Sequence, residues 1–538
     1  MQKNQEIILE ITDITAEGSG VGRYEGMAVF VPLTAVGDTV RAKILKVKKT
    51  YAYGKLLEIT TPSNVRTEND CPQFSKCGGC VFRHIKYQSE LSLKENKVYE
   101  TVKRIGGADL KPKPILSAAP DRYRNKAQYP VAPNGGVGFY AFHSHRIIEC
   151  EDCILQPQEF KEITKAVSEW VRKYNISVYD EQKHKGLLRH IYIRKAKVTD
   201  EIMVAFVING YNLPNSNEII KALVSVCENI KSIIININTE NTNVILGKTC
   251  KTLYGSDHIT DILCGIKVRL SALSFYQVNH TMAELLYNKA REYAKPNGRN
   301  IIDLYCGAGT IGLSMAKYAK SVIGVEIVPE AIKDAEFNAK NNGITNARFI
   351  CADASSAAAQ LAKEGTTADT VILDPPRKGC AKEVIETVAN SFSPERVVYV
   401  SCDPATLARD IKIFEGVGYK LAEYTPCDLF PRTSHVETVV QLVRKKPDTY
   451  IDITVDMDEL DLTSSEAKAT YDEIKDYIFD KHCVKVSSLY IAQIKQKHGI
   501  IERDCYNNSK KDNTKQPQCP PEKVKLIEEA LRHFKMIP

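Results

Sequence analysis

The sequence predicts an α/β protein built around a doubly wound parallel sheet, and three observations carry that prediction. Apolar strands alternate with amphipathic helices from about residue 265 to 445, as in NIIDLYCGAGTIGL, SVIGVE, DTVILDPP and RVVYVSC. Each of these strands runs into a glycine or proline turn, which is typical of a Rossmann-like sheet. A chain of 538 residues is also too long for one core, so further domains are expected.

We expect four domains. The short strands and glycine turns of residues 1–62 predict a β-barrel. A central mixed α+β domain follows over 63–255, with a helix at about 87–105 that packs on the α/β domain. The α/β domain spans 256–447, and residues 448–538 form a small helical extension without an assigned role.

The composition is that of a globular protein, with 43% hydrophobic and 26% charged residues and a net charge of +7. This mild positive charge is compatible with a polyanionic partner and does not require one. No signal-peptide pattern or bilayer-length apolar run occurs, so we expect a soluble, cytoplasmic protein without a membrane partner, most simply a monomer. The 16 cysteines then indicate reduced thiols, a metal site or a catalytic thiol rather than disulfides.

The predicted barrel carries basic and aromatic side chains that suit a phosphate backbone and stacked bases. A solvated barrel face is the alternative. The residues concerned are Arg41, Lys43, Lys46, Lys48, Lys49, Tyr51, Tyr53 and Lys55.

The turn after the first strand of the α/β domain predicts a nucleoside site. Gly307 and Gly309 allow the backbone to turn sharply at the carboxyl end of a parallel strand, where ligands bind in such sheets. Glu326 ends the next strand, where a carboxylate can accept hydrogen bonds from ribose hydroxyls. Because Gly312 completes a G-x-G-x-x-G spacing, a dinucleotide enzyme remains open at this point.

Two later strand ends carry more reactive groups. Asp374 precedes two prolines, which make a rigid loop able to hold a planar base. Cys402 follows the strand RVVYVS and precedes an Asp-Pro turn, and the sheet edge provides helix amino termini, which can lower a thiol pKa. Glu437 opens the last apolar strand and is a candidate general base.

A cysteine cluster with C-x5-C-x2-C spacing, Cys71, Cys77 and Cys80, predicts a metal site. The fourth ligand must come from elsewhere, and Cys150 and Cys153 are the candidates. Four thiolates suit either structural zinc or an iron–sulfur cluster, and spacing alone does not separate them.

The segments DLYCGAGTIGL, DPPRKG, SCDPATLARD and HVETVVQL, in this order and spacing, resemble the RNA uracil-5-methyltransferase family. With the barrel, which resembles an RNA-binding TRAM domain, and the cysteine cluster, the chain is most similar to the bacterial ribosomal-RNA branch over about residues 1–447.

This resemblance implies a class I methyltransferase domain that uses S-adenosylmethionine to methylate carbon 5 of a uridine, with 23S ribosomal RNA as the expected substrate. It implies a [4Fe-4S] cluster, with Cys153 as the fourth ligand, and Phe275 stacked near the base. The implied site consists of the nucleophile Cys402, the base Glu437, the donor contacts Gln277, Tyr305 and Glu326, and Asp374 between donor and uracil.

Several alternatives stay open at this stage. The same chemistry could act on transfer RNA, and a cytosine-5- or amino-group methyltransferase shares parts of the pattern. A non-catalytic RNA-binding factor for ribosome assembly belongs to another class. In the central domain, Arg189, His190 and Arg194 are candidate RNA contacts or members of a solvated strand face.

Overall fold

The structure is a computed structural model that describes residues 1–142, 144–445, 469–500 and 518–537. The chain forms two compact units, residues 1–446 and 447–538. No helix in the described ranges is long and apolar enough to cross a membrane.

The amino-terminal strands close into a five-stranded barrel in the order β1-β2-β3-β5-β4, as the sequence predicts. Alternate residues of β1, such as Ile7, Leu9 and Ile11, fill the interior because successive side chains of a strand point to opposite faces. The strands are β1 (Glu6–Ile14), β2 (Gly20–Tyr24), β3 (Met27–Val31), β4 (Thr39–Val47) and β5 (Tyr51–Thr61).

The outer face of the barrel carries a paired arginine and two neighbouring tyrosines. Arg41 is paired with both Glu6 and Glu58, at 2.8 and 2.9 Å, so it does not offer a free charge. The rings of Tyr51 and Tyr53 lie 5.5 Å apart at their centroids, and 43% of Tyr53 is exposed. An aromatic surface is therefore available on this barrel for stacking.

The central region is built on a five-stranded sheet in the order β12-β11-β10-β9-β6, with a separate hairpin, β7 and β8, beside it. Helices α2 and α3 share a hydrophobic core with this sheet. The elements are α1 (Tyr87–Thr101, extended by a π-helical turn over Val102–Gly106), β6 (Lys126–Pro130), β7 (Gly138–Tyr140), β8 (Ile147–Glu149), α2 (Glu159–Lys173), β9 (Leu188–Lys195), β10 (Ile202–Ile208), α3 (Ser216–Val226), β11 (Ile230–Ile237) and β12 (Thr249–Gly255).

Arg189 and Arg194 do not lie on a solvated strand face, and the proposed RNA contacts are wrong for them. Both side chains belong to the buried strand β9 and donate hydrogen bonds to backbone carbonyls. Arg189 binds the carbonyls of Asn238, Glu240 and Thr242 at 2.8–3.0 Å. His190, between them, is 6% exposed. Because β9 lies inside the sheet, its polar side chains serve the fold instead.

The α/β domain contains a seven-stranded sheet in the order β17-β16-β15-β18-β19-β21-β20, in which six strands run in one direction and β21 is antiparallel to both of its neighbours. Helices cover both faces. A hairpin of β13 (Ile259–Leu263) and β14 (Ile266–Leu270) precedes it. The elements are α4 (His280–Ala294), β15 (Asn300–Leu304), α5 (Thr310–Ala316), β16 (Ser321–Glu326), α6 (Pro329–Asn341), β17 (Ala347–Cys351), α7 (Ala354–Lys363), β18 (Thr370–Leu373), α8 (Lys382–Thr387, extended by a π-helical turn over Val388–Phe392), β19 (Arg396–Ser401), α9 (Pro404–Gly416), β20 (Tyr419–Cys427) and β21 (Glu437–Arg444).

Helix α1 connects the amino-terminal third of the chain to the loop before β21, residues 428–436. Lys94 of α1 donates to Glu90 and to Asp428 at 2.8 and 2.6 Å, and all three side chains are at most 1% exposed. These three residues form the Lys94 cluster. One helical turn further on, Lys97 donates to the carbonyls of Ser434 and of Ala16 in the barrel, both at 3.0 Å. The 428–436 loop is thus held by parts of the chain more than 300 residues away.

The second unit contains three described helices around a small apolar core: α10 (Tyr471–His482), α11 (Ser488–Lys497) and α12 (Pro521–His533). Thr470 and Glu473 form a capping box at the start of α10, which satisfies backbone N–H groups that have no partner within the helix. The acidic segment at 452–461 lies outside the described residues.

We expect the substitution Lys94→Met to destabilise the first unit by about 3–5 kcal/mol, because it leaves the buried Asp428 without its cation and leaves Glu90 with Arg432 alone, 3.6 Å away. The single tryptophan, Trp170, is buried in this unit, so its fluorescence during urea unfolding reports on residues 1–446. Lys103→Met is the matched control, since Lys103 pairs with Asp109 at an exposed position on the same helical segment. Equal midpoints for the two variants would contradict the importance of the Lys94 cluster.

Candidate active site

A cleft of about 1200 Å³ opens at the carboxyl ends of β15, β16, β18 and β19. The cleft brings together all six residues that the sequence and the family resemblance single out for catalysis and donor binding. Those residues are Gln277, Tyr305, Glu326, Asp374, Cys402 and Glu437. Phe275 also lines the cleft and is 72% exposed.

One wall of the cleft is the turn after β15. Tyr305 and Gly307 have φ angles of 70° and 54°, in the left-handed region that glycine adopts freely and tyrosine rarely does. Glu326 accepts hydrogen bonds from the N–H groups of Gly307 and Val328, at 3.2 and 2.9 Å. The turn is therefore held against the carboxylate that the sequence assigns to the ribose.

Below this turn, a buried carboxyl sets the spacing between strand and helix. The N–H of Gly312 donates to Asp303 at 3.0 Å, and a Cβ at Gly312 would lie only 3.0 Å from that carboxyl oxygen and from Val322. Burial raises the pKa of Asp303 to about 8, and the charge of Asp374 adds to this. Gly312 is thus required for close packing beneath the nucleoside turn.

The segment that carries Phe275 and Gln277 is held by the central domain. Arg194 of β9 donates to the carbonyls of Ser271 and Ser274, both at 2.8 Å. Asn125 donates to the carbonyl of Gln277 at 2.9 Å. Sequence reasoning did not find Arg194 or Asn125 as supports of the site, because neither lies near the segment in the chain.

Cys402 and Glu437 meet because β19 and β21 are neighbours. Ser401 lies opposite Thr438 in this antiparallel pair. Cys402, directly after β19, and Glu437, the first residue of β21, therefore lie at the same end of the sheet. Cys402 is half-buried and Glu437 is buried. Burial raises the pKa of Glu437 to about 8, the charge of Asp374 adds to this, and Arg377 opposes it.

The expected low thiol pKa is wrong for this cleft. Burial raises the pKa of Cys402 to about 11, and the charges of Glu437 and Asp374 raise it further, while Arg377 lowers it. Burial also raises the pKa of Asp374 to about 7. The position of Cys402 near helix amino termini does not compensate for two carboxyl groups beside it, so the resting thiol is protonated at neutral pH.

The loop from Asp374 to Ala381 is anchored from below by α9. Asp410 is fully buried and accepts hydrogen bonds from the Tyr399 hydroxyl and the Cys380 N–H, at 2.6 and 2.8 Å. Arg409 donates to the Lys378 carbonyl at 2.9 Å. These anchors lie in the SCDPATLARD segment, whose sequence gave no sign of this supporting role.

Comparison with known proteins agrees with this geometry. Residues 86–445 match the family model described as tRNA (Uracil-5-)-methyltransferase, and residues 2–57 match the TRAM domain. The chain belongs to the tRNA (uracil-5-)-methyltransferase family. It is an RNA methyltransferase that uses S-adenosylmethionine, and its barrel is a TRAM domain.

Relatives of this uracil-5-methyltransferase support the assignment over most of its length. An uncharacterized RNA methyltransferase of Clostridium tetani is 44% identical over 445 residues, which cover 82% of this chain and 96% of that protein. One from Bacillus cereus is also 44% identical, over 82% of this chain and 98% of its own. The crystal structure of the Pyrococcus abyssi tRNA (uracil-54, C5)-methyltransferase with S-adenosyl-L-homocysteine has a TM-score of 0.67, with 28% identity over 81% of this chain and 99% of that chain.

The cysteine cluster of this family member lies outside the cleft lining. Burial raises the pKa of Cys80 to about 11, with the charges of Cys153 and Cys71 adding to the effect of burial and Arg83 opposing it. Burial likewise raises the pKa of Cys77 and Cys153. The thiols are therefore close enough to influence one another. Across the described residues, however, no group of three or more His, Cys, Asp or Glu side chains is arranged to hold a metal ion.

We expect Cys402 to react with iodoacetamide at a rate that rises steadily from pH 7 to pH 10, because only the thiolate is the nucleophile. The Glu437→Gln substitution removes a charge that raises the thiol pKa. Above pH 8, where Glu437 ionises, it should therefore accelerate alkylation on the order of threefold, and Arg377→Gln should slow it.

Mass spectrometry of the tryptic peptide 397–409, whose only cysteine is Cys402, measures this rate. Alkylation independent of pH, or slower in Glu437→Gln than in the native protein, would show that the carboxylates do not control the thiol.

Proposed function

We propose that this enzyme methylates carbon 5 of a uridine in 23S ribosomal RNA through a covalent adduct between Cys402 and the base. The observation that supports this proposal best is that one thiol and two carboxyl groups lie in the same cleft as the turn after β15. These groups belong to Cys402, Glu437 and Asp374. An amino-group methyltransferase needs neither the thiol nor Glu437.

The chemistry follows from the low nucleophilicity of uracil carbon 5. The Cys402 thiolate adds to carbon 6, and the S–C6 bond turns carbon 5 into the end of an enolate. Carbon 5 then takes the methyl group that S-adenosylmethionine supplies. Glu437 removes the proton from carbon 5, the S–C6 bond breaks, and Cys402 leaves as a thiolate.

Proton movements fit the electrostatics of the cleft. Cys402 and Glu437 are both protonated in much of the resting protein at neutral pH, because burial and their neighbours raise the pKa of each. A bound sulfonium cation favours the ionised form of nearby acids. Donor binding would therefore prepare both groups before the RNA reacts.

The choice of 23S ribosomal RNA rests on the combination of a TRAM barrel with the cysteine cluster, which resembles the ribosomal-RNA branch of the family. Transfer RNA is the second candidate, since the Pyrococcus abyssi structural neighbour is a tRNA methyltransferase. The barrel offers Tyr51 and Tyr53 as a stacking surface to either RNA.

We expect 23S ribosomal RNA fragments that contain 5-fluorouridine to form a stable adduct with the enzyme in the presence of S-adenosylmethionine. Fluorine replaces the proton that Glu437 removes, so the S–C6 bond cannot break. Denaturing gels with labelled RNA measure the adduct. Cys402→Ala should abolish it while leaving S-adenosylhomocysteine binding nearly unchanged, and Glu437→Gln should accumulate an adduct even with ordinary uridine.

Transfer RNA transcripts carrying 5-fluorouridine are the parallel arm of this experiment. An adduct with transfer RNA alone would replace the ribosomal substrate but keep the mechanism. If native enzyme with donor traps neither RNA, the covalent mechanism is wrong, and a non-catalytic role in ribosome assembly becomes the better explanation.

We also propose that Cys71, Cys77, Cys80 and Cys153 hold a [4Fe-4S] cluster, with structural zinc as the alternative. The donor set fits in kind, because sulfur ligands suit both. Asp121 and Arg122 join the two cysteine segments: Asp121 accepts from Arg83 at 2.5 Å, and Arg122 donates to the Cys153 carbonyl at 3.2 Å. Methyl transfer involves no net electron transfer, so the cluster's role would be structural.

We expect protein purified without oxygen to contain about four iron and four sulfide per chain, with absorbance near 400 nm. Cys153→Ser should lose most of the iron, while Cys150→Ser, the matched control three residues away, should retain it. Stoichiometric zinc in place of iron would favour the alternative, and equal iron loss in the two variants would show that Cys153 is not the specific ligand.

A further inference from the structure

His435 is a cleft residue for which the mechanism above has no role. It lies two residues before Glu437, at the end of the 428–436 loop, and it lines the same cleft as Cys402 and Asp374. Its side chain is exposed to the cleft rather than packed in the core. Such a position next to the reacting groups needs an explanation.

Contacts hold the backbone of His435 and one face of its ring, but they do not involve its ring nitrogens. Its N–H donates to the Thr433 hydroxyl at 3.3 Å, and its ring packs edge-on against Phe430, with centroids 6.0 Å apart. Lys97 holds the preceding carbonyl, that of Ser434, at 3.0 Å. In the part of the chain that the structure describes, neither ring nitrogen of His435 has a hydrogen-bond partner.

The surroundings keep the imidazole neutral. Partial burial in the cleft lowers the pKa of His435, and the charges of Arg377, Lys97, Lys94 and Arg124 lower it further. A neutral imidazole bears one N–H and is a weak base, so it suits hydrogen-bond donation better than proton abstraction.

The proposed reaction creates a need for such a donor. When Cys402 adds to carbon 6, the electrons of the C5=C6 double bond move toward the C4 carbonyl, and negative charge develops on O4. The carboxyl groups of Asp374 and Glu437 cannot stabilise this charge once they are ionised, because they are then negatively charged themselves. A donor already in place, fixed by packing, stabilises an oxyanion without reorganisation during the reaction.

We propose that His435 is a further catalytic residue, which donates a hydrogen bond from its imidazole N–H to the uracil O4 enolate. This inference rests on the proposed covalent mechanism. No proton leaves His435 in this step. The first enolate loses its charge when carbon 5 takes the methyl group, and the enolate formed on removal of the C5 proton passes its charge to the Cys402 sulfur when the S–C6 bond breaks.

The test is single-turnover methylation and 5-fluorouridine trapping at saturating RNA and donor, together with steady-state methylation over a range of RNA concentrations, which gives KM and kcat. His435→Ala should lower the rate of adduct formation about 100-fold, as the loss of an oxyanion donor does. His435→Gln keeps a side-chain N–H and should recover part of this rate. The affinity of the His435→Ala variant for S-adenosylhomocysteine should stay within about twofold of native, because the proposed donor contacts include Gln277 and Glu326 and not His435. His184→Ala, far along the chain in the central domain, should behave as native.

Two outcomes overturn the inference. Native-like trapping by His435→Ala removes any catalytic role, and a higher KM for RNA at unchanged kcat assigns the histidine to RNA binding instead. These outcomes are distinct from failure of the proposed function, which appears as absence of the adduct in the native enzyme itself.

Discussion

A buried lysine between two buried carboxylates supports much of the catalytic architecture. Lys94 of α1 joins Glu90 to Asp428, and Asp428 begins the loop that leads to Glu437. Three unpaired charges in the interior would be strongly unfavourable, so the three groups must come together or the loop must lie elsewhere. Tyr87 adds a hydrogen bond to Asp428 at 2.8 Å. The position of the candidate base therefore depends on a helix outside the α/β domain.

The second constraint is the concentration of acidic groups in the cleft. Asp374, Cys402 and Glu437 each hold their proton more firmly than they would in water, and Asp303 does so beneath them. Arg377 is the cation that opposes this effect on both Cys402 and Glu437. A positively charged methyl donor complements such a cleft. The acidic groups thus favour binding of the cationic donor, and the bound cation in turn favours the ionised form of the proposed base.

The sequence predicts those parts of the site that depend on strand ends. Asp374 and Cys402 each directly follow a parallel strand, so their meeting at one sheet edge follows from the alternation of strands and helices. Gln277 came only from the family resemblance, because its segment has no regular pattern. The supports Lys94, Asn125 and Arg194 could not be predicted, since each acts through a contact between distant parts of the chain. The prediction that helix amino termini lower the thiol pKa was wrong for a related reason: it considered the backbone and not the side chains that fold against Cys402.

The long-range contacts of the 428–436 loop also have a consequence for biosynthesis. Lys94 leaves the ribosome more than 300 residues before its partner Asp428, and β21 must then insert between β19 and β20. Contacts of such large sequence separation form late and slowly. Until the end of the first unit has been translated, Lys94 of α1 lacks its second carboxylate, and the nascent chain lacks Glu437, the proposed base. The proposed site is therefore complete only at the last stage of synthesis of this unit.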